Sequence, residues 1–378
     1  MKILIAPDKF KDALDAHEVA AALAEGVRAA GTGAEIVCCP LGDGGEGTGR
    51  LLAESLDAEP HTAEVLDPLG RTRTAQWWLD REREAGIVEM AEASGLCLLA
   101  PDERDALRTT SYGTGQLMRA AIDAGCRRLT LCVGGSATVD GGAGCLQGLG
   151  WRLLDSKRQV IDEPVSGGSL TSIARIEPPV ESAAVDVEIL CDVTNPLLGP
   201  DGAAAVFGPQ KGATPAQVRQ LEAALQHWAD VLADFTLRDV SELPGGGAAG
   251  GLPAGLAATT EARLRPGFEE VADRFQLREK ISACDLVITG EGRLDEQTSG
   301  GKVVGGVAGL GVQLGKPVVA FVGAARLPGT GEASQLTDRL GLREIVVVTP
   351  AGTTLNEALA QTGENLKRAV AQYLTDET

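Results

Sequence analysis

The hydrophobic and polar positions at the start of the chain predict a strand, a helix and a second strand. One apolar run covers residues 2–6, and another covers residues 35–41. Between them lies the alanine-rich segment 17–31, which follows Asp15 and Glu18 at the spacing of a capping box. We therefore interpret the first part of the chain as a β-α-β unit.

The last hundred residues repeat this alternation. Short apolar strands bounded by Gly or Pro are predicted at 285–290, 317–323 and 344–350. Helices are predicted near 303–315 and 355–374. Strands of this kind, alternating with helices, are typical of a parallel sheet covered on both faces. Together, the two chain ends supply roughly five strands, which is enough for one sheet.

The middle of the chain has longer loops and a mixed pattern. Its strands are predicted at 85–91, 128–134 and 187–193, and a long helix at 215–236. We therefore predict an α/β protein in which both chain termini form one doubly wound parallel sheet domain, with a second α/β domain inserted. The predicted boundaries are 1–60 with 269–378 for the first domain and 61–268 for the inserted one. Two sequential domains are the alternative.

Composition narrows the possible ligands. The net charge is −19, the opposite sign to that of a typical nucleic-acid-binding protein, so we expect no nucleic-acid partner. An anionic small molecule would need local positive groups or backbone N–H donors. Glycine makes up 49 of the 378 residues and clusters in a few short loops. Such clusters mark tight turns or places where backbone approaches a ligand.

Cysteines, histidines and apolar runs exclude further classes of site. The eight cysteines form no CxxC pair and lie mostly in apolar runs, which indicates buried thiols in a reducing compartment. The three histidines stand apart, which argues against a His-rich zinc site. No apolar run approaches the ~20 residues of a membrane span. The first strand begins at Lys2, where a signal peptide would lie. We expect a cytoplasmic protein without a membrane partner.

Three predicted strand exits carry an unusual mixture of residues. The segments 6–14, 40–48 and 289–302 each combine carboxylates with glycines or lysines. In a doubly wound sheet, ligands bind at the carboxyl ends of the strands. The second segment is either a solvated glycine turn or a phosphate-facing loop whose Asp43 and Glu46 hold Mg²⁺. No GxxxxGK[ST] motif is present, and no GxGxxG stands between a strand and a helix, which excludes a P-loop enzyme and an ordinary dinucleotide-binding protein.

The segment 128–150 runs from a strand into the loop sequence GGSATVDGG. Backbone N–H groups in such a loop can form an anion cradle. The hydroxyl groups of Ser136 and Thr138 add further donors, and Asp140 could orient a metal or a donor group. A glycine-packed turn is the alternative.

A second candidate segment, 191–213, follows another apolar strand. It places Asp192 and Asn195 at the strand end and Lys211 in a glycine loop. A strand end can hold a catalytic Asp in a defined position near a hydroxyl group. The alternative is an Asx turn that only ends the strand. The glycine-rich run 245–256 is equally consistent with a hinge, a linker or a second phosphate-contacting loop.

Glycine loops, carboxylates at strand ends and lysines in the same loops suit phosphoryl transfer, which depends on positioning and on neutralising charge. The motifs that carry this mixture also occur together, in the same order, in one known family. They are APDKFKDAL, DGGEGT, SYGTGQL, GGSATVDGGAG, CDVTNPL followed by FGPQKGA, and DLVITGEGRLDEQTSGGK. In these motifs the chain resembles the bacterial glycerate kinases of type I from end to end.

The resemblance implies ATP-dependent phosphorylation of D-glycerate with Mg²⁺, at the 2-hydroxyl group, giving 2-phosphoglycerate. It also implies a flavodoxin-like domain formed by both termini with an inserted α/β domain, and we expect the cleft between the two domains to hold the active site. The alternatives are phosphorylation at the 3-hydroxyl group and a non-catalytic sensor of a small phosphorylated acid. A monomer and a homodimer are both compatible with the sequence.

We assign predicted roles residue by residue on this basis. Asp192 is the predicted base for the substrate hydroxyl group, and Lys9 the predicted catalytic contact to phosphate or to the glycerate carboxylate. The predicted metal ligands are Asp43, Glu46 and Asp295. The predicted substrate contacts are Lys11, Asn195, Ser136, Thr138 and Lys211. The predicted ATP contacts are Gly134, Gly135, Gly44, Gly45, Thr48, Gly290, Gly292 and Lys302.

Overall fold

The protein is a mixed α/β molecule, which confirms the predicted class. The computed structural model describes residues 1–180, 185–294, 302–325 and 332–376. The chain divides into two compact units, residues 1–43 with 266–378 (unit 1) and residues 44–265 (unit 2).

The secondary structure alternates along most of the chain. The strands are β1 (Lys2–Ile5), β2 (Glu35–Cys38), β3 (Glu59–Leu66), β4 (Thr72–Asp80), β5 (Ala85–Glu89), β6 (Arg128–Cys132), β7 (Arg152–Leu154), β8 (Arg175–Glu177), β9 (Asp186–Leu190), β10 (Arg263–Arg265), β11 (Leu286–Leu294), β12 (Val318–Ala325) and β13 (Glu344–Val347). The α-helices are α1 (Ala16–Ala29), α2 (Thr48–Ser55), α3 (Ala91–Ser94), α4 (Tyr112–Asp123), α5 (Ala143–Gly148), α6 (Pro215–Thr236), α7 (Leu252–Thr259), α8 (Gly267–Arg274), α9 (Leu277–Ser282), α10 (Val303–Leu314), α11 (Glu332–Leu340), α12 (Leu355–Ala360) and α13 (Thr362–Asp376). Short 3₁₀ turns and one π-helical segment, Ala203–Phe207, complete the described structure.

Unit 1 contains a parallel sheet with the strand order β13-β12-β11-β1-β2. Counted within the unit, this order is 5-4-3-1-2, so the direction in which strands are added reverses between β1 and β11. In doubly wound sheets, ligands bind at the carboxyl ends of the strands where the order reverses. The fold therefore marks the exits of β1 and β11 as the candidate ligand edge of this unit.

Both faces of the unit 1 sheet are covered. Three consecutive residues of β1, Ile3, Leu4 and Ile5, are fully buried, although their side chains point alternately to opposite faces. Helices α1 and α13 pack together, and their apolar side chains form one core with Ile3, Ile5 and Phe321. The predicted capping box is confirmed, because Asp15 accepts from the Glu18 N–H and Glu18 accepts from the Asp15 N–H, each at 2.9 Å.

Unit 2 contains a six-stranded mixed sheet in the order β10-β9-β6-β5-β4-β3. The strands β10, β9, β6 and β5 are parallel, and β3 and β4 are attached to them by antiparallel pairing. The predicted long helix is confirmed as α6, whose start is capped by Thr214. Trp228 from this helix is fully buried in a core separate from that of unit 1.

Two details differ from the sequence-based expectation. The units divide between Asp43 and Gly44, earlier than the predicted boundary at residue 60, because α2 packs on β4, β5 and β6 of unit 2. The second division lies between Arg265 and Pro266. The helix predicted over 355–374 is interrupted at Gln361, where the backbone leaves helical geometry (φ −104°, ψ 6°). Over the described ranges, no helix combines the length and apolarity required to cross a membrane.

Candidate functional site

The exit of β1 stays attached to β11 beyond the end of the strand. The Ala6 N–H donates to the Ile288 carbonyl oxygen at 2.8 Å, and the Asp8 N–H donates to the Gly290 carbonyl oxygen at 2.9 Å. Residues 10–14 then close into a tight turn, in which Asp12 has a positive φ of 63°. Lys9 and Lys11 therefore do not lie on a continuing strand, and alternation along a strand does not force them to opposite faces.

Two predicted glycines of β11 make close backbone contacts at this edge, Gly292 with the segment 8–11 and Gly290 with β12. A Cβ atom on Gly292 would lie 3.2 Å from the Lys11 backbone nitrogen and from Phe10 Cα. A Cβ atom on Gly290 would collide with the Phe321 carbonyl oxygen on β12. The structure thus brings the segment 8–11 and both glycines together where the strand order reverses.

Asp8 links several charged groups at this edge. Its side chain is 7% exposed, and its Oδ1 accepts from the Lys9 N–H at 2.7 Å. Burial, and secondly the negative charge of Asp43, raise the pKa of Asp8 to about 7. The positive charges of Lys9 and Lys302 act in the opposite direction. Three charged motif residues, Asp43, Lys9 and Lys302, therefore act on Asp8 at the carboxyl ends of the unit 1 strands.

The same carboxylates determine whether Mg²⁺ fits here. In the part of the chain that the structure describes, no group of three His, Cys, Asp or Glu side chains is arranged to hold a metal ion. Mg²⁺, however, usually takes only one or two carboxylates and completes its shell with water and phosphate oxygens. The Asp8–Asp43 pair, whose mutual repulsion a cation would relieve, fits that donor set. Asp295 lies outside the described residues.

In unit 2, the two predicted glycine loops pack against each other. A Cβ atom on Gly134 would collide with Gly45 Cα, and one on Gly135 would lie 3.1 Å from Glu46 Oε2. Gly44 has a positive φ of 80°, and its Cβ position is 3.0 Å from the backbone of Leu190. These glycines are needed for close backbone packing, whether or not a nucleotide also contacts the loops.

Asp140 organises the loop between β6 and α5 from inside the protein. It is fully buried, and its Oδ2 accepts from the backbone N–H and the hydroxyl group of Ser111 at 2.7 and 2.8 Å. Its Oδ1 accepts from the Gly142 N–H at 3.2 Å. Burial raises the pKa of Asp140, and these hydrogen bonds oppose that shift. Asp140 therefore anchors the backbone at Ser111 and Gly142, and Ser111, in the SYGTGQL motif, received no predicted role.

Lys211 lies beneath the same loop. Its side chain is 2% exposed, and its Nζ donates to Ser136 Oγ and to the Thr138 carbonyl oxygen, each at 2.7 Å. Burial lowers the pKa of Lys211 to about 7, and the charge of Asp140 opposes the shift. The structure thus brings together Lys211, Ser136 and Thr138, three predicted substrate contacts, although they are far apart in sequence.

The residues after β9 form a loop that a second glycine run supports. Asp192 is half-buried just beyond the strand end. Asn195 Nδ2 donates to the Asp201 carbonyl oxygen at 2.8 Å, and the Asn195 carbonyl oxygen accepts from the Gly247 N–H at 2.9 Å. A Cβ atom on Gly247 would collide with the Pro196 carbonyl oxygen. The sequence left the run 245–256 open as a hinge, a linker or a phosphate-contacting loop. Its packing against Asn195 and Pro196 was not predicted.

Three predicted ligand contacts lie below the surface. Thr48 and Thr138 are completely buried, and neither hydroxyl group has a hydrogen-bond partner among the described residues. Lys211 is almost completely buried as well. In this conformation, these side chains have no surface with which to contact a ligand directly, because tertiary packing covers them.

Sequence analysis also missed Glu89, at the end of β5. Glu89 is 5% exposed, and its carboxylate accepts from the N–H groups of Gly47 and Arg50 at 3.0 Å each. It therefore caps the start of α2, which has no side-chain cap of its own. The signal in the sequence was a glutamate ending an otherwise apolar strand.

Comparison with known proteins gives consistent relatives over nearly the whole chain. The model of the glycerate kinase family matches residues 3–376. A glycerate kinase of Halalkalibacterium halodurans is 40% identical over 98% of this chain and 97% of its own. A glycerate 2-kinase of Escherichia coli K12 is 41% identical over 98% of this chain and 96% of its own. A crystal structure from Salmonella typhimurium LT2, provisionally named glycerate kinase 2, aligns with a TM-score of 0.79 at 42% identity, covering 100% of this chain and 97% of that one.

Proposed function

The chain belongs to the glycerate kinase family, and from this premise we propose that it transfers the γ-phosphoryl group of ATP to the 2-hydroxyl group of D-glycerate. The products are 2-phosphoglycerate and ADP. The choice of the 2-hydroxyl group rests on the E. coli relative named glycerate 2-kinase, which aligns over 98% of this chain. In the structure, the observation that carries the proposal is the grouping of Asp8, Lys9, Asp43 and Lys302 where the unit 1 strand order reverses.

We assign the two units to the architecture that the family resemblance implies. Unit 1 is the flavodoxin-like domain formed by both chain ends, and its strand order supports this assignment. Unit 2 is the inserted α/β domain. The roles of the residues are proposed separately for each unit.

In unit 1, Lys9 contacts phosphate or the glycerate carboxylate, and the exposed Lys11 supports it electrostatically. Lys302 contacts the nucleotide. Within unit 1, Asp43 would hold Mg²⁺ beside Asp8, with Asp295 as a further predicted ligand. When bound, Mg²⁺ neutralises phosphate charge. The lysines provide the local positive charge that an anionic substrate requires in a protein of net charge −19.

In unit 2, Asp192 accepts the proton of the 2-hydroxyl group as it attacks the γ-phosphorus atom. Its half-buried position after β9 leaves part of the side chain accessible. Asn195, tied to the Asp201 carbonyl oxygen, fixes the substrate beside it. Ser136 donates to an anionic oxygen. The exposed Gly135 contacts the nucleotide, whereas the buried Thr48, Gly44 and Gly45 support the loop packing.

A coupled assay for ADP tests the proposed reaction. ADP release is expected to require D-glycerate and Mg²⁺ together, and to stop when EDTA is added. L-glycerate is the matched substrate control. If D-glycerate binds without any ADP release, the protein is a sensor and the kinase proposal is wrong.

³¹P NMR of the product mixture tests the position of phosphorylation. We expect 2-phosphoglycerate as the first product formed. Predominant 3-phosphoglycerate at early times would overturn the 2-hydroxyl assignment while leaving the kinase assignment intact.

A further inference from the structure

Lys211 is a buried cation held by neutral groups. Its Nζ donates to Ser136 Oγ and to the Thr138 carbonyl oxygen, and no carboxylate in the described part of the chain forms an ion pair with it. The nearby Asp140 acts on Lys211 through its charge, but its oxygens accept from Ser111 and Gly142. Burying an ammonium group without a paired charge is unfavourable, so such a group is a candidate for a functional role.

The direction of the hydrogen bonds follows from the groups involved. The Thr138 carbonyl oxygen can only accept, so Lys211 donates to it. A charged ammonium group has no lone pair, so it also donates to Ser136 Oγ. With Lys211 in its charged form, the hydroxyl proton of Ser136 must then point elsewhere. No acceptor for that proton is found among the described residues.

Ser136 is also the least buried member of this group. It is 8% exposed, compared with 2% for Lys211 and 0% for Thr138. Ser136 therefore retains some exposed surface that a ligand can contact, whereas Lys211 retains almost none.

The loop that carries Ser136 is held in place without Lys211. The Gly135 carbonyl oxygen accepts from the Leu96 N–H at 2.7 Å, and the Ala137 N–H donates to the Ser94 carbonyl oxygen at 2.9 Å. Thr109 Oγ1 donates to the Ala137 carbonyl oxygen at 2.8 Å. A lysine is not required merely to keep this loop closed, which argues against a purely structural role.

We propose that Lys211 is a positioning residue that acts through Ser136, holding its oxygen as an acceptor so that its hydroxyl proton is donated to an anionic oxygen of the bound ligand. The ligand oxygen belongs to the glycerate carboxylate or to a phosphate of ATP. Lys211 therefore acts on the ligand indirectly, one hydrogen bond away. This inference rests on the proposed kinase function. It adds that Ser136 contacts the ligand and that Lys211 orients Ser136.

Anion binding and the charge of Lys211 support each other in this arrangement. Burial disfavours the charged ammonium form, as its lowered pKa indicates. A negative charge arriving at Ser136 favours that charged form, because an opposite charge at close range stabilises it. The charged form is also the one that directs the Ser136 proton toward the ligand.

A double-mutant cycle tests the inference. The variants are Ser136→Ala, Lys211→Met and the double variant, with Lys157→Met as a control at an exposed lysine of the same unit. Each of the first three should raise KM for one substrate by about 10–100-fold, the scale of a hydrogen bond to a charged group, with kcat changed less than about threefold. Lys211→Met should add little in the Ser136→Ala background, because Lys211 acts through Ser136.

The substrate whose KM rises identifies the ligand oxygen: D-glycerate indicates the carboxylate, and ATP indicates phosphate. Additive effects, a fall in kcat with both KM values raised alike, or an unchanged KM in Lys211→Met would each overturn the inference. Circular dichroism melts establish whether the variants are folded. If Lys211→Met does not fold, the KM of Ser136→Ala tests the inference alone. An unchanged KM in Ser136→Ala overturns it.

Failure of the proposed function gives a different result. If the wild-type protein releases no ADP from ATP and D-glycerate, the kinase assignment falls, whatever the variants do. The coupling between Ser136 and Lys211 is then tested by isothermal titration calorimetry, which measures the affinity for D-glycerate and, separately, for ATP. Wild-type binding that both single variants weaken equally supports the inference, and binding unaffected by either, or no wild-type binding, overturns it.

Discussion

The pKa values of two charged side chains, Asp8 and Lys211, are set by the groups packed around them. Asp8 is an ordinary aspartate by sequence, yet burial and Asp43 raise its pKa to about 7. Lys211 is an ordinary lysine by sequence, yet burial lowers its pKa to about 7. Three predictions belong to this scale.

Lys9→Ala should lower kcat/KM by an amount that corresponds to a loss of about 2–4 kcal/mol in transition-state stabilisation. This is the scale of removing one positioned group that stabilises charge in the transition state. Lys9 is half-buried beside Asp8 at the point where the strand order reverses. Lys367→Ala is the matched control, since Lys367 forms an exposed ion pair with Glu25 on helices of the same unit. Steady-state kinetics of both variants provide the comparison, and equal kcat/KM values for the two would show that Lys9 only ends the strand.

Asp192→Asn should lower kcat by about 10²–10⁴-fold while leaving the fold intact, because that is the usual contribution of a general base. Asp201→Asn, an exposed aspartate of the same loop, should keep wild-type kcat. The measurement is kcat at saturating ATP and D-glycerate, with thermal melts to check folding. Near-wild-type turnover in Asp192→Asn would mean that the base lies elsewhere.

Asp8→Asn should change the pH dependence of stability in a defined direction. In the folded protein, the pKa of Asp8 is raised from 3.8 to about 7, so the folded state binds more protons between these values and Asp8 destabilises the fold increasingly as pH rises. Relative to wild type, Asp8→Asn should therefore gain stability from pH 4 to pH 8, by at most about 4 kcal/mol. Urea unfolding in EDTA at both pH values measures the difference, and a constant or decreasing difference would contradict the assigned shift.

At the scale of elements, two helix starts show which caps the local sequence can predict and which it cannot. Helix α1 is capped by Asp15, three residues before its partner Glu18, and the sequence alone predicted this pair. Helix α2 is capped by Glu89, some forty residues away in β5. The second cap exists only because the helix packs against the strand.

Glu89→Gln should destabilise unit 2 by about 1–3 kcal/mol, because the substitution weakens a buried acceptor of the Gly47 and Arg50 N–H groups. Glu54→Gln, on an exposed side chain of the same helix, should change stability by less than about 0.5 kcal/mol. Urea denaturation of both variants gives the two free energies of unfolding. Equal values would show that the cap contributes nothing measurable.

At the scale of the whole molecule, the division into units follows packing and not sequence composition. Unit 2 is one continuous stretch of chain with its own six-stranded sheet and its own core. Unit 1 needs both chain ends for its parallel sheet.

A fragment of residues 44–265 should therefore unfold cooperatively with an α/β circular dichroism spectrum. The fragment 61–268, cut at the boundary predicted from the sequence, is the matched control and should be less stable, since it lacks α2 and leaves Glu89 without the N–H groups it accepts from. Urea titrations of both fragments test the boundary. Absence of a cooperative transition in the longer fragment, or equal stability of the two, would contradict it.

The sequence by itself determined the features that depend on near neighbours. Strand and helix periodicity predicted the α/β class, the helix α6 and the strands at both chain ends, and the Asp15 capping box needed only residues three apart. The clustering of candidate residues at strand exits followed from the same pattern, because parallel strands end at one edge of a sheet. Motif resemblance further indicated the family to which the chain belongs.

Only the tertiary structure decided which candidate residues reach the surface and which support them. The burial of Lys211 against Ser136, the enclosure of Asp140 by Ser111, and the capping of α2 by Glu89 all join residues at least 29 positions apart. Burial and pKa depend on the atoms packed around a group, and those atoms come from elements that the local pattern cannot pair. For the same physical reason, the boundary between the units after Asp43 depends on the packing of α2 against the unit 2 sheet, which the local pattern does not show.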